Sequence, residues 1–177
     1  MAVSRLNHAV LHVRETARTV AFYRDVLGFS VVAELPGGHG AFLRAPASTN
    51  DHDLGVFAMG AGAGDSGAGR TTVGLYHLAW EVEALGDLAE LAQRLSEAGA
   101  LVGASDHGST KSLYAKDPDG LEFEVVWLIP AHLLTDDDRV MRTAPLDLRR
   151  ELDRFGADAR GGLGVSIPLG VQLEPAG

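Results

Sequence analysis

The sequence repeats one order of elements twice, and this repeat constrains the fold more than any other feature. In the first half, an apolar strand over residues 6–13 precedes a helix over 15–27. In the second half, an apolar strand over 75–82 precedes an amphipathic helix. Aligning His8 with His77 aligns the two halves. Three more strands follow each helix, predicted at 29–34, 41–44 and 53–59 in the first half and from 101, at 112–116 and at 121–128 in the second.

Each half therefore predicts one βαβββ module, and each module has a sheet face that is only half buried. We expect the two faces to close over a shared, cup-shaped cavity, in a fold of the α+β class. A run of small residues over 60–69 lacks hydrophobic periodicity and separates the halves. We predict a first module over 1–60, a Gly-rich linker over 61–70, a second module over 71–129 and a tail over 130–177, within one structural domain.

The tail is predicted to carry one covering helix. Apolar residues at helical spacing between Leu148 and Phe155 precede Gly156, as expected at a helix C-terminus. Residues 161–177 are expected to be loosely ordered or packed against a partner. The acidic run 136–138 is interpreted as a solvated helix start.

Composition excludes several classes of protein. Hydrophobic residues make up 46% and charged residues 22% of the 177, as in ordinary globular proteins. No apolar run approaches the roughly 20 residues that cross a bilayer, and the N-terminal sequence does not resemble a signal peptide. The chain has no cysteine, and its net charge of −9 argues against nucleic-acid binding. We therefore expect a cytoplasmic protein with no membrane or nucleic-acid partner.

Three residues stand out as candidate metal ligands. His8 and His77 occupy the same place in the two repeats, and each lies within an apolar strand. Glu124 lies in the last strand among Phe, Val and Trp, where burial of a carboxylate is costly unless it is paired or bound to metal. Two histidines and one carboxylate on neighbouring strands form the facial triad typical of non-haem Fe(II).

Several motifs resemble those of the vicinal oxygen chelate superfamily. They are Leu6-Asn-His8, the helix end Ala21-Phe-Tyr-Arg-Asp-Val-Leu-Gly-Phe29, Leu75-Tyr-His77 and Asp117-Pro-Asp-Gly-Leu-Glu-Phe-Glu124. This superfamily of paired βαβββ modules includes glyoxalases, bleomycin-resistance proteins, fosfomycin-resistance enzymes and type I extradiol dioxygenases. The likeness covers residues 4–129 and is greatest to catechol 2,3-dioxygenases.

The resemblance implies roles for six residues. His8, His77 and Glu124 match the metal ligands of the catechol 2,3-dioxygenases, with Fe(II) as the metal and Mn(II) as a possible replacement. His52 matches their acid–base histidine, which does not bind the metal itself. The implied role of Tyr114 is to hydrogen-bond a substrate oxygen, and that of His107 is to assist at the mouth of the cavity.

The sequence also departs from its relatives. Larger extradiol enzymes carry a second, metal-free pair of modules, and this chain has one pair. Glu122 lies two residues before Glu124 on the same strand face and could compete as a ligand. A glyoxalase I needs a further carboxylate in its first module, but the position 47 residues after His8 is Gly55. Asp53 could replace that carboxylate only after a register shift of two residues.

The resemblance implies an extradiol dioxygenase that cleaves a catechol-type aromatic diol with O₂. Two alternatives stay open at this point. One is a glyoxalase-like lyase or isomerase, and the other is a non-catalytic protein that binds or sequesters a small molecule. The resemblance further implies a homodimer or a higher homo-oligomer.

Overall fold

The structure is a computed structural model, and it describes residues 3, 5–68 and 71–166. Those residues form an α+β fold with two mixed sheets, which confirms the predicted fold class. The helices are α1 (Thr16–Leu27), α2 (Leu85–Glu97) and α3 (Leu148–Phe155). The strands are β1 (Ala9–Val13), β2 (Ser30–Glu34), β3 (Gly40–Arg44), β4 (Leu54–Ala58), β5 (Leu78–Glu81), β6 (Leu101–Asp106), β7 (Thr110–Lys116), β8 (Glu122–Leu128) and β9 (Ala144–Pro145).

Contacts divide the chain into two compact units. The first unit comprises residues 1–74 and 117–121, and its four-stranded sheet has the order β1-β4-β3-β2. The second unit comprises residues 75–116 and 122–177, and its five-stranded sheet has the order β5-β8-β7-β6-β9. In each sheet the first strand pairs in parallel with the fourth strand of the same repeat, and the other pairings are antiparallel.

The core of the first unit lies between α1 and its sheet. Val20, Tyr23 and Leu27 recur every three or four residues, so they share one face of the helix and are buried. The helix ends where predicted, because Gly28 adopts a left-handed conformation (φ 79°) and its N–H donates to the Arg24 carbonyl. On the sheet side, the buried residues are Ala41, Leu43, Leu54 and Val56.

Strict alternation along β8 determines which side chains of the second unit face the core. Phe123, Val125 and Trp127 are buried, whereas Glu122 and Glu124 on the opposite face are partly exposed. The indole N–H of Trp127 donates to the Ala159 carbonyl. The buried helical residues packed in this unit are Leu85, Leu88 and Leu95 of α2.

The tail contains the predicted helix together with a contact that the sequence did not indicate. Helix α3 spans Leu148–Phe155, as expected, and the short strand β9 pairs with β6. Asp138 is 1% exposed and binds Arg154 of α3 through both carboxylate oxygens. The interpretation of the acidic run 136–138 as a solvated helix start was therefore wrong, because Asp138 is buried in an ion pair and no helix begins there.

Two further expectations, on the end of the tail and on the linker, concern residues that the structure describes only in part. The part of the tail over 167–177 lies outside them, as do residues 69 and 70 of the predicted linker. Within the described part of the chain, no helix is both long and apolar enough to span a membrane.

Gly108 provides a test of how the tail packs on the β6–β7 turn. Its φ is +87°, and a β-carbon there would lie 2.6 Å or less from the carbonyl oxygens of Asp138 and Val140. We expect Gly108→Ala to lower the free energy of unfolding by about 1–3 kcal/mol or more, because it adds backbone strain and a steric clash. Urea denaturation measures this change. Gly55→Ala is the control, since a β-carbon at Gly55 makes only ordinary contacts, and an equal loss in both variants would contradict the prediction.

The buried ion pair of Asp138 predicts a pH-dependent stability. Hydrogen bonds from Arg154 hold the pKa of the Asp138 carboxyl below its usual range. The stabilisation is therefore complete above the unfolded-state pKa of about 3.9 and is lost as the pH falls through the lower folded-state value. We expect Asp138→Asn to reduce stability by about 1.5–3 kcal/mol at pH 7, with a smaller difference from wild type near pH 3.

Urea titrations at several pH values measure that difference. Asp153→Asn is the matched control, because Asp153 forms an exposed ion pair with Arg149 that should contribute less than about 0.5 kcal/mol. A difference for Asp138→Asn that is constant between pH 7 and pH 3 would be inconsistent with a depressed pKa.

Candidate functional site

His8 and His77 occupy equivalent positions in the structure. Each lies one residue before the first strand of its unit, since β1 begins at Ala9 and β5 begins at Leu78. The sequence predicted strands from residues 6 and 75 that contain the two histidines, whereas the strands begin three residues later, immediately after each histidine. The equivalence that aligned the two halves therefore extends to the backbone.

Strand pairing shows which residue of the first unit corresponds to Glu124. Glu124 pairs with Ala79 of β5 and with Tyr114 of β7. In the first unit, the same two pairings place Gly55 opposite Val10 and opposite Phe42. Gly55 is thus the counterpart of Glu124, and Phe42 is the counterpart of Tyr114.

The surroundings of Gly55 are apolar. A β-carbon built on Gly55 would meet Phe57, Val10 and Phe42 at 3.4–3.6 Å. The sheet of the first unit therefore provides no carboxylate at this position. The nearby Asp53 does not replace it, because its carboxylate accepts hydrogen bonds from the Ala45 N–H, the Ser48 hydroxyl and the Asn50 side chain.

Two of the predicted site residues meet in the first unit. The rings of His8 and His52 are 4.6 Å apart, and the ring of Phe42 lies 5.0 Å from that of His52. His52 Nδ1 lies 2.8 Å from a carboxylate oxygen of Asp51. The hydrogen bond from His52 lowers the pKa of the Asp51 carboxyl, so Asp51 is an acceptor at neutral pH.

These contacts determine which ring nitrogen carries the proton. Asp51 can only accept, so Nδ1 of His52 is the donor and Nε2 of the neutral ring is unprotonated. His8 Nδ1 lies 2.8 Å from the side-chain oxygen of Asn7, which accepts in the same way. Each histidine can therefore offer an Nε2 lone pair, His8 to a metal ion and His52 to a proton.

The other four predicted residues form a chain of contacts in the second unit. His77 Nε2 lies 3.2 Å from a carboxylate oxygen of Glu124. Tyr114 lies opposite Glu124 in the sheet, and its ring is 5.8 Å from that of His77. The Tyr114 hydroxyl lies 2.8 Å from Nε2 of His107.

Tyr114 stays a phenol at neutral pH. Burial and the negative charge of Glu124 raise the pKa of its hydroxyl above the usual value. A phenol has one proton to donate, so Tyr114 can donate to Glu124 or to His107 but not to both at once. The Tyr114 hydroxyl can therefore switch its donated hydrogen bond between the Glu124 carboxylate and the His107 imidazole.

Glu122 has a different partner from Glu124. Its hydrogen bond with Tyr76 raises the pKa of the Tyr76 hydroxyl. The ring of Tyr76 in turn lies 4.9 Å from that of His77. Of the two glutamates on this face of β8, Glu124 is the one beside a histidine nitrogen.

The His77–Glu124 pair fits two ligands of one metal ion. Two ligands at right angles, each about 2.1 Å from an ion, lie about 3.0 Å apart, close to the observed 3.2 Å. The other ring nitrogen of His77, Nδ1, is buried without a hydrogen-bond partner among the described residues. Among the described residues, no group of three or more His, Asp or Glu side chains is arranged to hold a metal ion. His8 belongs to the first unit, whereas His77 and Glu124 belong to the second. The set of these three ligands therefore stays a prediction.

Two groups at this site escaped the sequence reasoning. Asp51 is adjacent to His52, so the dipeptide itself could have suggested the partner. The carbonyl oxygen of Arg142 lies 2.9 Å from Nδ1 of His107, 35 residues away in the chain. A backbone carbonyl leaves no signal in the side-chain pattern, so only the folded structure reveals this contact.

The chain matches a family model over most of its length. Residues 5–125 match the glyoxalase/bleomycin resistance protein/dioxygenase superfamily. The match covers more than half of the chain, and the protein belongs to this superfamily. This membership confirms the resemblance drawn from the motifs.

Two curated relatives are dioxygenases. The chain is 35% identical over 117 residues to biphenyl-2,3-diol 1,2-dioxygenase 3 of Rhodococcus globerulus, covering 66% of this chain and 59% of the relative. It is 27% identical over 167 residues to catechol-2,3-dioxygenase of Bacillus subtilis (strain 168), covering 89% of this chain and 54% of the relative. The chain thus spans little more than half the length of these relatives.

A solved structure supports the fold. A glyoxylase/bleomycin resistance protein/dioxygenase domain from Frankia sp. EAN1pec superposes with a TM-score of 0.61 at 24% sequence identity. The superposition covers 72% of this chain and 93% of that domain. At this identity the likeness establishes the architecture alone.

Proposed function

We propose that the protein is a metal-dependent extradiol dioxygenase that cleaves a catechol-type aromatic diol with O₂. The observation that carries this proposal is the strand register, which gives the first unit Gly55 where the second has Glu124. A set of two histidines and one carboxylate leaves coordination positions open for two reactants. The curated relatives, named for biphenyl-2,3-diol and catechol, point to the same class of substrate.

We propose His8, His77 and Glu124 as the ligands, with Fe(II) as the metal and Mn(II) as a substitute. When bound, such an ion lowers the pKa of a diol hydroxyl and mediates electron transfer to O₂. The Nε2 lone pair that His8 can offer and the spacing of the His77–Glu124 pair support this assignment.

His52 is the proposed acid–base residue. Its Nδ1 proton is held by Asp51, so Nε2 can take a proton from a substrate hydroxyl and return it later in the reaction. The 4.6 Å separation of its ring from that of His8, a proposed ligand, supports this role.

Tyr114 and His107 are proposed to orient the substrate. The raised pKa keeps Tyr114 protonated, and while its proton is donated to Nε2 of His107, its hydroxyl oxygen can accept a hydrogen bond from a substrate hydroxyl. Nε2 of His107 holds that hydroxyl in place at 2.8 Å. We also propose a cytoplasmic location, in line with the lack of cysteine, and the homodimer or higher homo-oligomer that the resemblance implies.

Metal binding and O₂ uptake test the proposal together. We expect protein reconstituted anaerobically with Fe(II) to consume O₂ with at least one member of a catechol panel, measured with an oxygen electrode. Glu124→Gln and His8→Ala should lower the affinity for Fe(II) by more than the roughly 10–100-fold typical for losing a hydrogen-bond partner of a ligand. His39→Ala, in the turn after β2, should retain the metal.

Each failure has a distinct meaning. Metal binding without O₂ uptake on any diol would favour a glyoxalase-like lyase or isomerase and contradict the dioxygenase. Failure of the wild-type protein to bind metal would favour a small-molecule binding protein. Unchanged Fe(II) affinity in Glu124→Gln would remove Glu124 from the ligand set.

His52→Phe separates proton transfer from metal binding. We expect kcat to fall by about 10²–10⁴-fold, the usual contribution of a general acid–base, while iron content and catechol binding stay near wild type. Steady-state kinetics and metal analysis on the same preparation measure both. Loss of iron would make His52 a ligand, and an unchanged kcat would leave it no catalytic role.

A further inference from the structure

The two ring nitrogens of His107 face partners of different kinds. Nδ1 lies 2.9 Å from the carbonyl oxygen of Arg142, and Nε2 lies 2.8 Å from the Tyr114 hydroxyl. A carbonyl oxygen can only accept a hydrogen bond, whereas a phenol can donate or accept. The contact with Arg142 therefore requires the proton on Nδ1.

The side chain of Arg142 holds its own carbonyl in place. Its Nη1 donates to both the carbonyl oxygen and a carboxylate oxygen of Asp137, each at 3.0 Å. Its Nε donates to a carboxylate oxygen of Asp106 at 3.2 Å. Because Asp106 directly precedes His107, the guanidinium ties the tail to the same turn that carries the histidine.

Asp106 is itself fixed by a buried charge. Its other carboxylate oxygen accepts from Lys111 Nζ at 2.6 Å and from the Gly108 N–H at 2.8 Å. Lys111 is fully buried, and its Nζ also lies 3.5 Å from a carboxylate oxygen of Glu151 in α3. Although burial opposes it, the hydrogen bond from Lys111 helps to hold the pKa of Asp106 below its usual range.

We propose that Arg142 is a positioning residue that holds His107 in the Nδ1–H tautomer through its backbone carbonyl. In the neutral ring this tautomer turns an Nε2 lone pair toward Tyr114, so the phenol proton points at His107. The opposite tautomer would direct an N–H at the same hydroxyl and reverse the hydrogen bond. The tail residue thus determines whether His107 accepts from Tyr114 or donates to it.

The tautomer can be observed without any activity. In uniformly ¹⁵N-labelled full-length protein, long-range ¹H–¹⁵N correlation spectra distinguish protonated from unprotonated ring nitrogens. Spectra are recorded at a series of pH values, and the tautomer is read from the spectrum in which one ring nitrogen is protonated and the other is not. His107→Gln identifies the signals of His107 by their loss. We expect wild-type His107 to show one protonated nitrogen, Nδ1, and one unprotonated nitrogen, Nε2.

Variants then test the role of Arg142. Arg142→Ala keeps a carbonyl but loses its anchors, so the two nitrogen shifts of His107 should move toward an average of both tautomers. Asp137→Ala removes one anchor at an exposed carboxylate and should cause a smaller shift in the same direction. Arg149→Ala, whose ion pair lies on the exposed face of α3, should leave the shifts unchanged.

The proposal fails if wild-type His107 carries its proton on Nε2. It fails equally if Arg142→Ala and Asp137→Ala both keep the wild-type shifts. If Arg142→Ala does not fold, the shift in Asp137→Ala decides the matter. Since no readout requires a metal, a diol or O₂, these outcomes are independent of the proposed function.

Discussion

The pairing of β8 with a strand on each side is the constraint on which the rest of the site depends. One register with β5 and one with β7 place Glu124 beside Ala79 and beside Tyr114. A slip of one residue would turn Glu124 into the core and Phe123 or Val125 out of it. Because those apolar neighbours are buried, core packing fixes the register and thereby the carboxylate. The polar face is thus positioned by the apolar face of the same strand.

The two repeats share the same strand pairing but carry different side chains at equivalent positions. The sheet position held by Glu124 in one unit is Gly55 in the other, and Tyr114 corresponds to Phe42. The first unit presents aromatic rings and two histidines, whereas the second presents a carboxylate, a phenol and two imidazoles.

The tail is an integral part of the second unit. Strand β9 extends the sheet, and the carboxylates of Asp106 and Glu151 surround the fully buried ammonium of Lys111. An unpaired buried charge would cost several kcal/mol, so these partners must assemble together as the unit folds. The same assembly brings the Arg142 carbonyl to His107, which links the stability of the tail to the geometry of the candidate site.

The sequence by itself determined the elements and their equivalence. Periodicity predicted all three helices to within a few residues, and the repeat predicted that Gly55 corresponds to Glu124, because side-chain alternation and strand length are local properties. The motifs also predicted site roles for His52, Tyr114 and His107, and these roles stay a prediction. Tertiary structure alone decided the contact between His107 and the Arg142 carbonyl and the burial of Asp138. These features depend on contacts between distant segments, often through backbone carbonyls, which no pattern of side chains along the chain records.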